Sequence, residues 1–388
     1  MCLPVAAAPV PAYGARSLSD LGESTLAAVG LPAENRLALP EARRLLVLLV
    51  DGFGWVALRA HRREAPFLNS VADDGGSLTA PFPSSTAVSI SSLGSALPPG
   101  EHGVTGYTMA LPGLPRRPMN CIGWNEFGVG GDLRSRYPPE EVQPHHTILE
   151  RAAAAGRETL VLGPEGHAGS GLSRAALRGA RHLALETPEA LAERGAEAAQ
   201  ASQPGALLYA YLWQLDLAGH VHGPRSAEWL AELQRLDGAL ERLATALPPG
   251  TLLVVTGDHG MVELPEAGRM DPRSEPGLMD GVAMLAGEPR ARHVHTRPGA
   301  AETVLTAWRE RFGERAWIAS RDEAIGAGWF GPIVEEAVRP RIGDVVVAAR
   351  DPIGIVQPHI APREARLVGH HGSMTPEEQL VPLLLSLA

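Results

Sequence analysis

The sequence predicts an α/β fold: a doubly wound, mostly parallel central sheet flanked by helices, with a smaller inserted cap region. Three observations carry this. Stretches 45–50 (LLVLLV), 158–162, 206–212 and 252–256 are short and mainly apolar, the pattern of strands buried on both faces of a parallel sheet. Helical stretches rich in Ala and Arg, at 148–156, 187–200 and 226–246, lie among them, and such alternation builds doubly wound folds. Asp51, Asp216 and Asp258 follow three of the runs, and ligands in open α/β sheets collect beyond the carboxyl ends of the strands.

In chain order, 17–29 reads as a first helix capped by Ser17 or Ser19. The run 45–50 is closed by Asp51-Gly52, and 53–63 starts the helix that follows. The loop 81–85 enters a helix over 86–96. Residues 103–145 form a small excursion. The stretch 262–360 is rich in Gly, Pro and Arg, with short strands at 293–296 and 344–348 and a helix at 301–312. Lying between two ligand clusters, it reads as the insert, which leaves 1–261 and 361–388 as the main domain.

Composition narrows the function. A chain of 388 residues buries a substantial core. All 34 basic residues are Arg, so no lysine is present to form a Schiff base or cradle a phosphate. The net charge of −10 argues against a nucleic-acid polymer as partner. The two cysteines, Cys2 and Cys121, form no CxxC pair, which excludes a disulfide framework and thiolate zinc. The start of the chain has no signal-like basic region, and no apolar run is long enough for a membrane span. The expectation is a cytoplasmic protein without a membrane partner.

Four Asp/His clusters carry the chemistry: Asp51, Asp216 with His220, Asp258 with His259, and His371. A single Asp at a strand end is equally well a helix cap, and a single His is most simply a buried or surface imidazole. Together they make six carboxylate and imidazole ligands, enough for two metal ions if the strands lie side by side. Asp216 and His220 are four apart and share a face on a helical turn. His222 competes with His220, and His370 with His371; the flanking glycines favour His220 and His371. Without thiolates the donor set suits catalytic zinc, with manganese or iron compatible. The hydroxyls of Ser84, Ser85 and Thr86 open a helix, either as caps or as a nucleophile where helix N–H groups hold a phosphoryl oxygen.

The order FPSST-x15-HG (82–103), DxxGHxxG (216–223), GDHG (257–260) and the late HG at 371–372 resembles the alkaline phosphatase superfamily. Within it, the chain looks like the nucleotide pyrophosphatase/phosphodiesterase (type I phosphodiesterase) branch. The resemblance implies an alkaline-phosphatase-like catalytic domain with two zinc sites, one of Asp51, Thr86, Asp258 and His259, the other of Asp216, His220 and His371. It also implies Thr86, sixteen residues before His102, as a nucleophile that forms a phosphothreonine. The tail GSMTPEEQLVPLL resembles the ending of cofactor-independent phosphoglycerate mutases. Members of the branch carry an Asn soon after the loop HG. Here Tyr107 falls at that place, and Asn125 in GWNEFG is a distant substitute; both are candidates for substrate binding. The implied activity is cleavage of phosphodiester or pyrophosphate bonds in small phosphate esters. A phosphomonoesterase or phosphonate hydrolase on the same scaffold is the alternative, and a non-hydrolytic or mutase-like member is a further one. Arg290, Arg292, His167, His293 and His295 are further polar candidates for the pocket.

Overall fold

A computed structural model describes residues 8–72 and 76–388; Cys2 lies outside them, and Cys121 is a buried free thiol. The strands of its two larger sheets are β1 (Arg44–Val50), β2 (Ser77–Thr79), β3 (Thr159–Gly163), β4 (Arg181–Ala184), β5 (Ala206–Leu212), β6 (Thr251–Gly257), β7 (Val282–Glu288), β8 (Ala291–Thr296), β9 (Ala316–Ser320), β10 (Val345–Ala349) and β11 (Leu380–Leu387). The central sheet has the order β2-β11-β6-β1-β5-β3-β4. β1 pairs in parallel with both β5 and β6, and β3 with β4 and β5, while β11 runs antiparallel to β6 and β2.

Side chains alternate across a strand, and both faces of this sheet are covered. Leu45, Val47 and Leu49 enter one core with Tyr209, Tyr211 and Val254, against helices α1 (Leu18–Ala28) and α2 (Thr86–Ser95). Leu46, Leu48 and Val50 enter the other with Leu208, Leu212 and Val255, beneath α3 (Pro188–Ala201) and α5 (Ala227–Ala246). Between these two helices in the chain lies α4 (Gln214–His222). Ser17 rather than Ser19 caps α1: its N–H donates to Asp20 Oδ2 at 2.9 Å.

Registers place the strand ends level. Val50 pairs with Leu212 on one side and Gly257 on the other, so Asp51 and Asp258 leave the sheet together and α4 starts beside them. Gly52 has φ +72°, and a Cβ there would stand 2.9 Å from Asp216 Cα. Only glycine lets the Asp51 turn pack this closely on α4.

A second, antiparallel sheet, β7-β8-β10-β9, lies within 282–349 and packs α6 (Ala301–Phe312) on one face. A small four-stranded sheet over 108–132 forms within the excursion read from the sequence. No helix among the described residues is long and apolar enough to cross a membrane. The expected helix 53–63 is shorter, Trp55–Ala60, because Gly54 caps it and the backbone turns at His61.

Arg290 joins the second sheet to the segment following His371. Its Nε and Nη2 donate to the two carboxylate oxygens of Glu378 at 3.1 and 2.6 Å, and both side chains are buried. Glu378 also accepts from Ser373 N and Thr375 Oγ1. Removing one partner of a buried charged pair strands the other. Glu378→Ala is expected to cost about 3–5 kcal/mol in urea denaturation; a loss typical of a surface site would show that the pair does not tie these segments together.

Candidate metal centre

The clusters converge beyond the carboxyl ends of β1, β5 and β6. Ligand atoms of Asp51, Asp258 and His259 lie within 4.8 Å of one another, as do those of Asp216, His220 and His371. The His259 and His371 rings stack with centroids 3.5 Å apart and planes 9° from parallel, bringing the two groups together. On α4, His220 Nε2 stands 3.3 Å from Asp216 Oδ2, as a four-residue spacing allows.

Backbone carbonyls orient all three imidazoles. Nδ1 of His220, His259 and His371 faces the carbonyl of Gly369 (2.8 Å), Gly260 (2.9 Å) and Ser84 (2.9 Å) respectively. An Nδ1–H donated to a carbonyl leaves Nε2 as the ligand lone pair. The competing histidines are engaged elsewhere. His222 is about half exposed and faces Glu228, and His370 Nε2 contacts the Leu367 carbonyl.

The carboxylates are equally directed. Asp51 Oδ2 accepts from the Tyr211 hydroxyl, and its Oδ1 faces His259 Nε2 at 3.4 Å. Asp258 Oδ1 accepts from Gly52 N and His259 N, both at 3.0 Å. Asp258 Oδ2 and Asp216 Oδ1 are buried without a hydrogen-bond partner. Such orphaned oxygens fit cation ligands, since an unpaired buried acceptor is otherwise costly.

Electrostatics make the same demand. Burial and the neighbouring Asp51 charge push Asp258 up to about 7 and Asp216 well above its ordinary value. Burial opposes ionisation of Asp51 too, but the His259 and Tyr211 hydrogen bonds hold it below its usual value. Burial likewise disfavours a charged His259, yet Asp258, Asp51 and Asp216 outweigh it and push the imidazole up to about 10. Asp51 and Asp258, both buried, and the half-buried Asp216 outnumber the one imidazolium, an excess of negative charge that divalent cations would offset.

Thr86 is the first residue of α2 and Ser85 its N-cap. Thr86 Oγ1 lies 3.2 Å from His259 Nε2 and 3.5 Å from Asp51 Oδ1. Ser84 instead hydrogen-bonds to the late loop: Ser84 N donates to the Gly372 carbonyl (3.0 Å) and Ser84 Oγ to the Ser373 carbonyl (2.7 Å). Ser89, one turn into α2, donates to the Asp258 carbonyl at 2.6 Å.

A cavity of about 910 Å³ opens over the cluster, lined in part by Thr86, Tyr107, His167, Tyr211, Trp213 and Glu288. Its size is that of a small-molecule site. Tyr107 Oη accepts from Asn120 Nδ2 at 3.0 Å, which leaves the phenol proton to donate. Asn125 is not among the lining residues. It pairs with Asn120 and Asp132 in the small sheet, and its amide packs against Gly123, which does line the cavity. Arg290 and Arg292 are neither phosphate ligands nor surface groups, for both are buried. Arg290 holds Glu378, and Arg292 donates to the Ile355 carbonyl at 2.8 and 2.6 Å. His293 is buried away from the cavity, with Nδ1 accepting from Gly343 N; His295 does not line it either. Sequence reasoning missed Tyr211 and Glu288, since a tyrosine inside an apolar strand and a glutamate at a strand end carry no motif.

Solved structures share this fold. Murine ectonucleotide pyrophosphatase/phosphodiesterase 5 matches at 19% identity and TM-score 0.67, over 87% of each chain. Phosphonoacetate hydrolase from Sinorhizobium meliloti 1021, in complex with phosphonoformate, matches at 16% identity and TM-score 0.64, over 90% of this chain and 91% of that one. Among curated proteins, a phosphopentomutase from Methylobacterium sp. (strain 4-46) is 33% identical over 121 residues, 30% of this chain and 27% of the relative. The catalytic subunit of human GPI ethanolamine phosphate transferase 3 is 42% identical over 55 residues, 14% of this chain and 5% of that protein. The chain thus spans well under a third of either curated relative. The family described as type I phosphodiesterase/nucleotide pyrophosphatase matches residues 45–374. That match takes in Asp51, the Thr86 loop and every Asp/His cluster, and the chain belongs to the type I phosphodiesterase/nucleotide pyrophosphatase family.

Proposed function

We propose that the protein is a two-metal hydrolase that cleaves phosphodiester or pyrophosphate bonds in small molecules, nucleotides or compounds like them, through a phosphothreonine at Thr86. Family membership supports a phosphoryl-transfer hydrolase on this scaffold. The observation that most supports the finer reading is the stacking together of two three-ligand groups, one of which meets the Thr86 hydroxyl at a helix N-terminus.

In this reading Asp51, Asp258, His259 and Thr86 hold one ion, and Asp216, His220 and His371 the other. The donors suit zinc, and manganese or iron use the same types. When bound, the two ions supply positive charge at the attacking and departing oxygens of an in-line displacement.

The chain's own groups do the rest. Thr86 Oγ1 attacks phosphorus, and its proton has an acceptor in the Asp51 carboxylate, which the hydroxyl faces at 3.5 Å. The free N–H groups of the first turn of α2 face a phosphoryl oxygen, and the Tyr107 hydroxyl donates to substrate. The P–Oγ1 bond forms as the P–O bond to the leaving alcohol or phosphate breaks. Water then cleaves the phosphothreonine, releasing the phosphorylated product and restoring the hydroxyl.

Thr86→Ala is expected to lower kcat/KM for bis(p-nitrophenyl) phosphate by roughly 10³-fold or more, in line with the loss of a covalent nucleophile. Near-normal turnover by that variant, with metal content intact, would remove the assignment.

Metal analysis of protein prepared without chelator should find about two divalent ions per chain, and Asp216→Asn about one. The metal-free protein provides a second readout. Asp258 rises from 3.8 to about 7 on folding and His259 from 6.5 to about 10. Folded Asp258 and His259 therefore bind protons more tightly than the unfolded chain. Their contribution is fully present below the unfolded values and is lost as pH rises through about 7 and about 10. Asp51 acts oppositely, but only below its ordinary value. The metal-free melting temperature should therefore fall across this window, and Zn2+ should restore it. A metal-free Tm that is flat with pH and unmoved by Zn2+ would contradict the paired site.

A further inference from the structure

Glu288 belongs to neither ligand group, yet it lines the same cavity and is only 3% exposed. Its Oε2 accepts from Tyr107 N at 3.3 Å, and the Ser85 side chain lies beside the carboxyl. Its Oε1 has no hydrogen-bond partner. The carboxyl also borders the late loop. A Cβ built on Gly372 would stand 2.6 Å from Glu288 Cγ and 3.4 Å from Oε1, and Gly372 has φ +129°, a conformation suited to glycine. The carboxyl thus lies between the residue before Thr86 and the residue after His371, on the lining of the cavity that Thr86 also lines.

Among the described residues, no cation donates a hydrogen bond to this carboxylate. Arg292 is the basic group beside it, but its guanidinium donates to the carbonyls of Gly287 (3.2 Å) and Ile355, and stands 3.6 Å from Glu364. Glu364 Oε1 is itself buried without a hydrogen bond. Glu288 and Glu364 thus share the Arg292 guanidinium, while Arg363 lines the cavity beside Glu364 and His259 acts on Glu288 from further off.

We infer that Glu288 is a specificity-determining residue, whose carboxylate disfavours phosphoryl groups with two negative charges and so selects diesters and internal pyrophosphate links over monoesters and terminal phosphates. The inference rests on the proposed attack by Thr86. An ionised carboxylate can only accept hydrogen bonds, as can the unesterified oxygens of phosphate, so the pair repels. A monoester dianion brings one charge more than a diester. At a few ångströms in a medium of intermediate dielectric, that charge changes relative affinity by roughly ten- to hundredfold. Glutamine keeps the shape, removes the charge and adds N–H donors.

The test uses metal-loaded full-length protein as wild type, Glu288→Gln and Glu288→Asp, with metal content measured for each. Burial raises the Glu288 carboxyl to about 7, so assays run above that pH. The readouts are the kcat/KM ratio of bis(p-nitrophenyl) phosphate to p-nitrophenyl phosphate and the inhibition constant of inorganic phosphate. Glu288→Gln should lower the ratio by about ten- to hundredfold and tighten inorganic phosphate similarly, while Glu288→Asp keeps the wild-type ratio. A ratio within about twofold of wild type in Glu288→Gln, with two ions bound, overturns the inference. So does loss of an ion, which would make Glu288 a metal-holding group. If the glutamine variant does not fold, Glu288→Ser carries the same comparison. The wild type's own preference tests the diester reading, whereas the shift between variants tests Glu288, so the two can fail separately.

Discussion

Three carboxylates crowded beyond the strand ends, two of them buried, repel one another, and much of this molecule is arranged around that repulsion. Asp51 and Asp258 stand level because β1 and β6 pair in register, and the Gly52 turn packs against Asp216. The interior offers them one imidazole able to hold a proton, two histidines kept neutral by burial, and hydrogen bonds to only some of the oxygens. A site built this way is unstable in isolation and suited to divalent cations. The buried hydrogen bonds around it keep the ligands in place: Tyr211 on Asp51, Ser89 on the Asp258 carbonyl, and three backbone carbonyls on the histidine Nδ1 atoms.

Most of the fold was legible because burial on both faces leaves a plain signature. The runs at 45–50, 206–212 and 252–256 emerge as β1, β5 and β6 with boundaries moved by no more than one residue. The positions of the clustered carboxylates and imidazoles were legible for a related reason. A residue just beyond a parallel strand has its location set by the register of that strand, so Asp51 and Asp258 needed only the sheet. The spacing of Asp216 and His220 needed only one turn of helix. The choices between neighbouring histidines were less secure, because adjacent side chains differ in direction and direction depends on what packs around them. The Gly369 and Ser84 carbonyls that orient His220 and His371 lie far along the chain.

What stayed hidden was set by contacts across long sequence separations. Tyr211 reads as one more apolar strand residue until β5 lies beside β1 and its hydroxyl reaches Asp51. Glu288 ends a strand of the second sheet, and only the packing of that sheet on the main domain brings it to Tyr107, 181 residues away. Arg290 and Arg292 carry charges that sequence reasoning assigns to phosphate or solvent, yet burial and backbone carbonyls claim them. Asn125 does not line the cavity, because the small sheet holds it against Gly123. Local patterns report periodicity and motif well, but they carry no information about which distant surface will meet them.

The bond between His371 and the Ser84 carbonyl spans 287 residues, and the segment carrying His371 leads into β11, which docks between β2 and β6. A nascent chain emerging from the ribosome therefore holds Thr86 and five of the six clustered Asp and His side chains well before it holds the sixth. Contacts of such long range form late. The hydroxyl therefore has no complete cluster beside it until that last segment has been made.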